Sequence, residues 1–307
     1  MGNKDYKKIL VSVCCLAYNQ KNYIQKCLDG FISQKTTFNI EIFVHDDAST
    51  DGTANIIREY QARYPEIIKP MFQEKNQFSK MSISGIYRNY IYPKVQGKYI
   101  AFCEGDDYWE DEYKLQKQVE VLENNKDCHM CLHHAKVVYE NGEDAGWGYP
   151  LYNIETGILS SYDFLKGLTD GYFFHTTSFL CRTEDIKAFI SPVPDFYKDS
   201  DVDDVPLLLY FGELGDNYYI NESMSCYRRN SAGSWTERQK GNIDKIIEHK
   251  KLMISLYQKY DTYTNEKYKD LTTHWIDNER FMIAEYQGDF KEMAKSVVVK
   301  HFCNTTT

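Results

Sequence analysis

The chain of 307 residues is long enough for a main domain with an appendage and a sizeable buried core. With 42% hydrophobic and 26% charged residues it has the balance of a globular enzyme, not of a disordered segment. A formal net charge of −9 excludes the basic footprint that non-specific nucleic-acid binding needs, but leaves room for a phosphate-bearing substrate bridged to carboxylates by a divalent ion.

No apolar run approaches the ~20 residues of a membrane-spanning helix. Residues 1–8 are polar and lack a signal peptide's apolar core. The nine cysteines fall mostly inside apolar runs and read as small buried hydrophobes of a reducing compartment. A cytoplasmic location is therefore expected. Cys128-His129-Met130-Cys131, with His133 and His134, has zinc-like spacing but no second ligand pair, and its apolar neighbours favour a buried strand.

In chain order, residues 9–17 are an apolar strand running into Tyr18-Asn19. No Gly-X-Gly-X-X-Gly follows it, which counts against a dinucleotide fold. Tyr23, Ile24, Cys27, Leu28, Phe31 and Ile32 then recur at helical spacing. A second strand, 40–44, leads into His45-Asp46-Asp47-Ala48-Ser49-Thr50-Asp51-Gly52-Thr53, where Asp51 or Thr53 can cap the next helix. Residues 67–72 predict an edge strand, because Pro70 cannot donate to a ladder. Residues 83–92 predict a helix ending before Pro93. A fourth strand, 99–103, runs into Glu104-Gly105-Asp106-Asp107-Tyr108-Trp109, and 114–123 predict a helix. This β-α alternation predicts a mostly parallel sheet. Residues 140–157, rich in Gly and aromatics, predict a surface loop. Beyond them lie a strand over 173–182, an acidic patch over 199–204, and a helix from Asp204 with Pro206 in its first turn. A strand over 218–227 and a polar loop to Trp235 follow. From about 237, Ile, Leu, Tyr and Met at helical spacing predict two or three helices.

Carboxylates clustered at strand C-termini are hard oxygen ligands at the place where open α/β sheets bind ligands. The plain alternative at each is a capping turn. Three ordered segments decide the reading: the first strand with Tyr18-Asn19, the Asp46-Asp47 turn through Thr53, and Glu104-Gly105-Asp106-Asp107 after the fourth strand. Together they resemble the family 2 glycosyltransferases of GT-A fold. The resemblance is strong over the first third of the chain and continues weakly to Trp235. It implies an α/β GT-A domain over 1–235, with a helical C-terminal region over 236–307.

The resemblance also implies roles. Asp106, the last acid of an Asp-X-Asp-like motif, is the expected ligand of Mn²⁺ or Mg²⁺; Glu104 departs from the motif's first Asp. Asp107 supports the donor sugar. Asp46 or Asp47 accepts from the base's ring N–H, and Ala17, Tyr18 and Asn19 line the nucleoside pocket. Arg88 is a candidate for the phosphates or for bracing Asp106, with an exposed helix Arg as the plain alternative. Asp204, in an Asp-X-Pro-Leu context, is the expected general base, with Asp203 next. Arg228 or Arg229 supplies positive charge near the diphosphate. Asn230 stands where many members carry His, which leaves a third protein metal ligand in doubt. His175 is placed on the acceptor side, and Trp109, Trp147 and Trp235 can stack on sugars or simply pack.

The activity implied is inverting transfer of a sugar, from a UDP-sugar by preference, to a hydroxyl of a glycan or lipid-linked glycan in surface polysaccharide synthesis. The appendage can recognise the acceptor, dimerise or touch a membrane surface. Two other readings are a sugar-1-phosphate nucleotidyltransferase and a non-catalytic glycan-binding protein. Tyr18-Asn19-Gln20 disfavours the first, lacking a Gly-rich nucleotide loop. Asp106 and Asp204 disfavour the second.

Overall fold

The computed structural model describes residues 8–169, 173–198, 200–231, 241–293 and 295. Asp199, Trp235, the boundary expected near 235 and the chain's last residues lie outside them. A ten-stranded sheet forms the centre, in the order β3-β2-β1-β4-β9-β6-β10-β5, with β7 on β6 and β8 on β10. The strands are β1 Ile9–Ala17, β2 Asn39–Asp46, β3 Ile68–Phe72, β4 Tyr99–Phe102, β5 Tyr108–Trp109, β6 Cys128–Val138, β7 Asp144–Tyr149, β8 Gly157–Leu159, β9 Leu180–Arg182 and β10 Asp216–Arg228.

The leading half is parallel: β2 pairs with β1 and β3, and β4 lies on the other side of β1. Beyond β4 the sheet is mixed, because β9 runs antiparallel to both β4 and β6 while β6 and β10 are parallel. Pro70 sits in the edge strand β3, where a missing donor costs no ladder bond. The chain winds outward through β1, β2 and β3, then returns to the far side of β1. That reversal opens a crevice between the C-terminal ends of β1 and β4, the switch point where open α/β sheets bind ligands.

Nearly every residue of β1 and β4 is apolar because both faces are covered. On one face Val11, Val13 and Cys15 pack against α1 (Ile24–Ile32), α2 (Thr53–Arg63) and α4 (Lys114–Asn124) through Leu28, Phe31, Ile57, Leu115 and Val119. On the other, Cys14, Phe43 and Phe102 meet Tyr87, Leu208 and Phe211. Helices α5 (Ser161–Thr169), α6 (Thr183–Phe189), α7 (Asp195–Lys198) and α8 (Asp204–Leu214) build this second layer. The C-terminal helices α9 (Ile243–Tyr263), α10 (Lys269–Gln287) and α11 (Phe290–Met293) follow, and Met253, Tyr260, Leu271 and Trp275 join the same core. Among the described residues no helix is long and apolar enough to cross a membrane.

Three expectations change. The helix over 83–92 is broken: α3 covers only Ile83–Ile86, a π turn spans Tyr87–Ile91, and a 3₁₀ turn runs Tyr92–Lys94. The wide turn brings Tyr87, Ile91 and Tyr92 onto the core. The stretch 140–157 is not all loop, since β7 forms a hairpin with β6, its half-buried Trp147 and Tyr149 alternating about Gly148. The strand over 173–182 shrinks to Leu180–Arg182, because His175 caps a 3₁₀ turn at Thr176–Ser178, its Nδ1 accepting from Thr177 N at 3.3 Å. The Cys128–Cys131 pair lies within β6, and the eight cysteines of the described residues are free and buried.

Candidate active site

The crevice deepens into a cavity of about 440 Å³. Its first wall is the end of β1 and β2. Leu16, Ala17 and the exposed Tyr18 line it, with His45 and Asp47 opposite. Asp47 N donates to Ala17 O at 2.9 Å, which fixes the two strand ends together. The Asp47 carboxylate is aimed by two loop amides, accepting from Gln77 N at 2.6 Å and Phe78 N at 3.0 Å. Asp46 points elsewhere: it is buried, its Oδ2 accepts from Ser49 N at 3.2 Å, and it does not line the cavity. Asn19 does not line it either. With φ 53, its backbone N donates to Ser49 Oγ and its Oδ1 accepts from Thr50 N, so it braces the 46–53 turn.

The second wall is the turn after β4. Gly105 N donates to Leu16 O at 2.9 Å, which sets the turn against the end of β1. Glu104, Asp106 and Asp107 all open on the cavity. Burial and the Asp106 charge push the Glu104 carboxyl up to about 8, against the Tyr87 hydroxyl that donates to it at 3.1 Å. The same two causes hold Asp107 well above the usual aspartate range. Asp106 Oδ2 accepts from Ser231 Oγ at 2.5 Å.

Arg228 holds this turn from behind. Its backbone N donates to Asp107 Oδ1 at 2.8 Å, its Nε to Asp106 O at 3.0 Å, and an Nη to Tyr139 O and Glu140 O at 3.2 and 2.8 Å. It is buried outside the cavity, so its guanidinium serves the backbone. Arg229 is exposed and lies 5.4 Å over the Trp147 ring, and its charge acts on Tyr149 of the cavity. Arg88 also stays outside: its Nε donates to Ser84 O at 3.4 Å and its charge acts on Asp203.

The third wall is the start of α8. Asp201, Asp203 and Asp204 all line the cavity. Asp203 is 7% exposed and accepts from the Tyr197 hydroxyl. Burial and the Asp204 charge push its carboxyl up to about 7, with Tyr197 and Arg88 opposing. Burial also holds Asp204 above the aspartate range, while its Oδ1 accepts from Val205 N at 2.8 Å. His249 Nδ1, from α9, meets Asp201 at 2.8 Å, so a C-terminal helix completes this wall with His249 and Met253.

The fourth wall is aromatic. Tyr149 of β7 stands 5.3 Å from Phe173 and 6.2 Å from Tyr227, and His175 stacks on Tyr227 at 4.0 Å. Burial drops His175 to about 3, so it is neutral, and its 3.8 Å approach to Asp107 is no ion pair. Trp109 is core: it is buried, with Nε1 donating to Thr177 O at 3.2 Å. The sequence offered no local signal for Tyr149, Phe173 or His249 at one cavity, since they come from three separate segments.

The donor set suits a hard divalent cation. Three carboxyls crowd one turn, and burial and the Asp106 charge hold two of them above their ordinary range. Among the described residues no group of three or more His, Cys, Asp or Glu side chains forms a ready-made metal cage. A Mg²⁺-type site needs only one or two carboxylates, with waters and phosphate completing the shell. Asn230, at φ 59, does not line the cavity.

Comparison with known proteins agrees with this architecture. An uncharacterized protein of Mycobacterium tuberculosis is 33% identical over 243 residues, covering 75% of this chain and 63% of that protein. The chain thus spans less than two thirds of that relative's length. Escherichia coli WfaP, named a UDP-Glc:α-D-GlcNAc-diphosphoundecaprenol β-1,3-glucosyltransferase, is 36% identical over 117 residues, 38% of this chain and 43% of that one. The S. aureus TarS 1–349 structure in complex with UDP-GlcNAc has the same fold, with a TM-score of 0.63 and 18% identity over 91% of this chain and 72% of that one. The model of glycosyl transferase family 2 matches residues 12–187. From its crevice of carboxylates to its helical C-terminal region, the chain is a GT-A-fold member of glycosyl transferase family 2.

Proposed function

We propose that this chain transfers a sugar, with inversion, from a nucleotide-sugar to a hydroxyl of a glycan or lipid-linked glycan. A UDP-sugar is the preferred donor, and the role is in surface polysaccharide synthesis at the cytoplasmic face of a membrane. One observation carries the reading: acids from the end of β4 and from the start of α8 open on a single cavity at the sheet's switch point. The nucleoside lies between Tyr18 and Asp47, and the diphosphate is directed towards Asp106. Bound Mn²⁺ or Mg²⁺, held by Asp106, would neutralise the leaving diphosphate. Asp107 orients the donor sugar. The acceptor enters past Tyr149, Phe173 and Tyr227, and Asp204 takes the proton from its hydroxyl as that oxygen attacks the anomeric carbon opposite the diphosphate. Arg229 is the cation at the mouth in this scheme. WfaP, by name a UDP-glucose-dependent enzyme with a diphospholipid-linked acceptor, supports the choice of substrates.

The test is calorimetry and hydrolysis with a panel of nucleotide-sugars, with Mn²⁺ and with EDTA. Tight binding of one donor only with the metal is the expected result. Asp106→Asn should lose that metal-dependent affinity while keeping the fold. Equal affinity in EDTA would remove the metal from the scheme, and no binding to any donor would remove the transferase reading.

A further inference from the structure

His45 lines the cavity, and the scheme above leaves its chemistry unused. It is the penultimate residue of β2 and is 0% exposed. Its ring lies 5.2 Å from that of Tyr90, tilted by 46°. Neither Nδ1 nor Nε2 has a hydrogen-bond partner among the described residues. Buried polar atoms are nearly always paired, and an orphan costs the full desolvation of the group. An imidazole with both nitrogens unmet, placed against a cavity, marks a position whose partner arrives from outside. Gln20 Oε1, on the same cavity, is buried and unpartnered too.

The neighbours define what the partner must be. His45 and Asp47 both face the cavity, while Asp46 between them does not, the alternation of a strand end. Asp47, fixed by Gln77 N and Phe78 N, is an acceptor in a set position. Burial lowers the His45 pKa, so the ring is neutral and carries one N–H donor and one acceptor nitrogen. An acceptor beside a donor complements a ring N–H beside a carbonyl. Uracil and guanine present that edge. Cytosine and adenine present the reverse, a bare ring nitrogen beside an amino group.

We propose that His45 reads the keto edge of the donor's nucleobase, its ring N–H donating to the base carbonyl next to the ring N–H that Asp47 accepts. The inference rests on the donor site proposed above and narrows it to uracil or guanine nucleotides.

The experiment is calorimetric titration of UDP, GDP, CDP and ADP, with Mn²⁺, into wild type and His45→Phe. Phenylalanine keeps a ring against Tyr90 and removes both nitrogens. Wild type should bind UDP or GDP at least about tenfold tighter than CDP and ADP, and His45→Phe should narrow that gap to about threefold or less. Melting curves establish that the variant is folded. His45→Val carries the same comparison if the phenyl ring does not fit, and His45→Gln, which restores a donor and an acceptor, should recover part of the preference. Unchanged affinity and preference in the Phe and Val variants would overturn the role of His45 alone. A wild type that prefers CDP or ADP would overturn the keto assignment. A wild type that binds none of the four would overturn the donor site itself.

Discussion

Asp203 and Asp204 are neighbours in sequence but not in environment. The Tyr197 hydroxyl and the Arg88 charge both act on Asp203, whereas Asp204, on the same cavity, accepts from Val205 N at the start of its own helix and feels the His249 charge. Deprotonation of the acceptor is needed for transfer, not for donor binding. Asp204→Asn should therefore keep nucleotide-sugar affinity and lose about 10²–10⁴ in transfer rate, and Asp203→Asn should lose less. Single-turnover kinetics beside calorimetry reads both; the opposite ranking would move the base by one residue. Glu104 gives a second, pH-dependent prediction. Its folded pKa is raised, from 4.5 to about 8, so the native state holds a proton that the unfolded chain has released. The stability this contributes is full below the unfolded value and is lost as pH rises through the folded one. Denaturant melts should show wild type losing stability relative to Glu104→Gln between about pH 4.5 and 8, by at most about 1.4 kcal/mol per unit. Mn²⁺ should stabilise wild type more at pH 8 than at pH 6. Parallel pH curves for the two proteins would show that Glu104 is not the titrating group.

At the scale of elements, the turn between β4 and β5 depends on parts distant in sequence. Gly30 of α1 lies so close to β5 that a Cβ would meet Trp109 O at 2.8 Å. Arg228, at the end of β10, satisfies three carbonyls on the other side. Arg228→Met keeps the apolar stem and leaves those carbonyls unmet, a loss of about 3 kcal/mol or more. Nucleotide affinity should fall with it, because the turn loses the guanidinium bond to Asp106 O. A variant with wild-type melting and weak binding would instead place Arg228 on the phosphate. The same geometry explains what was legible in the sequence. β1, β2 and β4 read correctly because buried parallel strands are continuous apolar runs, and their acids follow directly in the chain. Gly146 and Gly148 hid β7 by interrupting its alternation. The π turn at Tyr87 was hidden because its apolar spacing is close to helical. Nothing near Arg228 in sequence reveals that its guanidinium turns to the backbone of 139–140, since that contact is tertiary.

At the scale of the whole molecule, the helical C-terminal region packs directly onto the rest of the fold. Tyr260 OH donates to Leu209 O at 3.0 Å, Trp275 Nε1 donates to Thr169 Oγ1 at 2.9 Å, and Lys250 meets Glu279 at 2.9 Å between α9 and α10. Tyr260, Leu271 and Trp275 share one core with Leu207–Phe211 of α8, the helix whose first residue is the proposed base. The helical spacing after 237 shows that these helices exist, but an amphipathic pattern does not state which surface its apolar face will cover. Packing makes them the outer support of the third wall, with His249 and Met253 reaching the cavity itself. Removal of 241–307 should therefore strip the cover from α8 and cost the fold. A gentler test keeps the chain whole. Tyr260 is fully buried among Phe196, Tyr268 and Trp275, so Tyr260→Ala should destabilise by about 3–5 kcal/mol. Tyr260→Phe, which loses only the bond to Leu209 O, should cost about 1–2 kcal/mol. Each variant is melted with and without UDP and Mn²⁺. If the helices support the donor site, the nucleotide-induced shift in Tm should shrink in Tyr260→Ala, and the Phe variant should keep it. A 1–240 fragment that melts like the full chain and binds nucleotide equally well would instead make the C-terminal helices a separable unit.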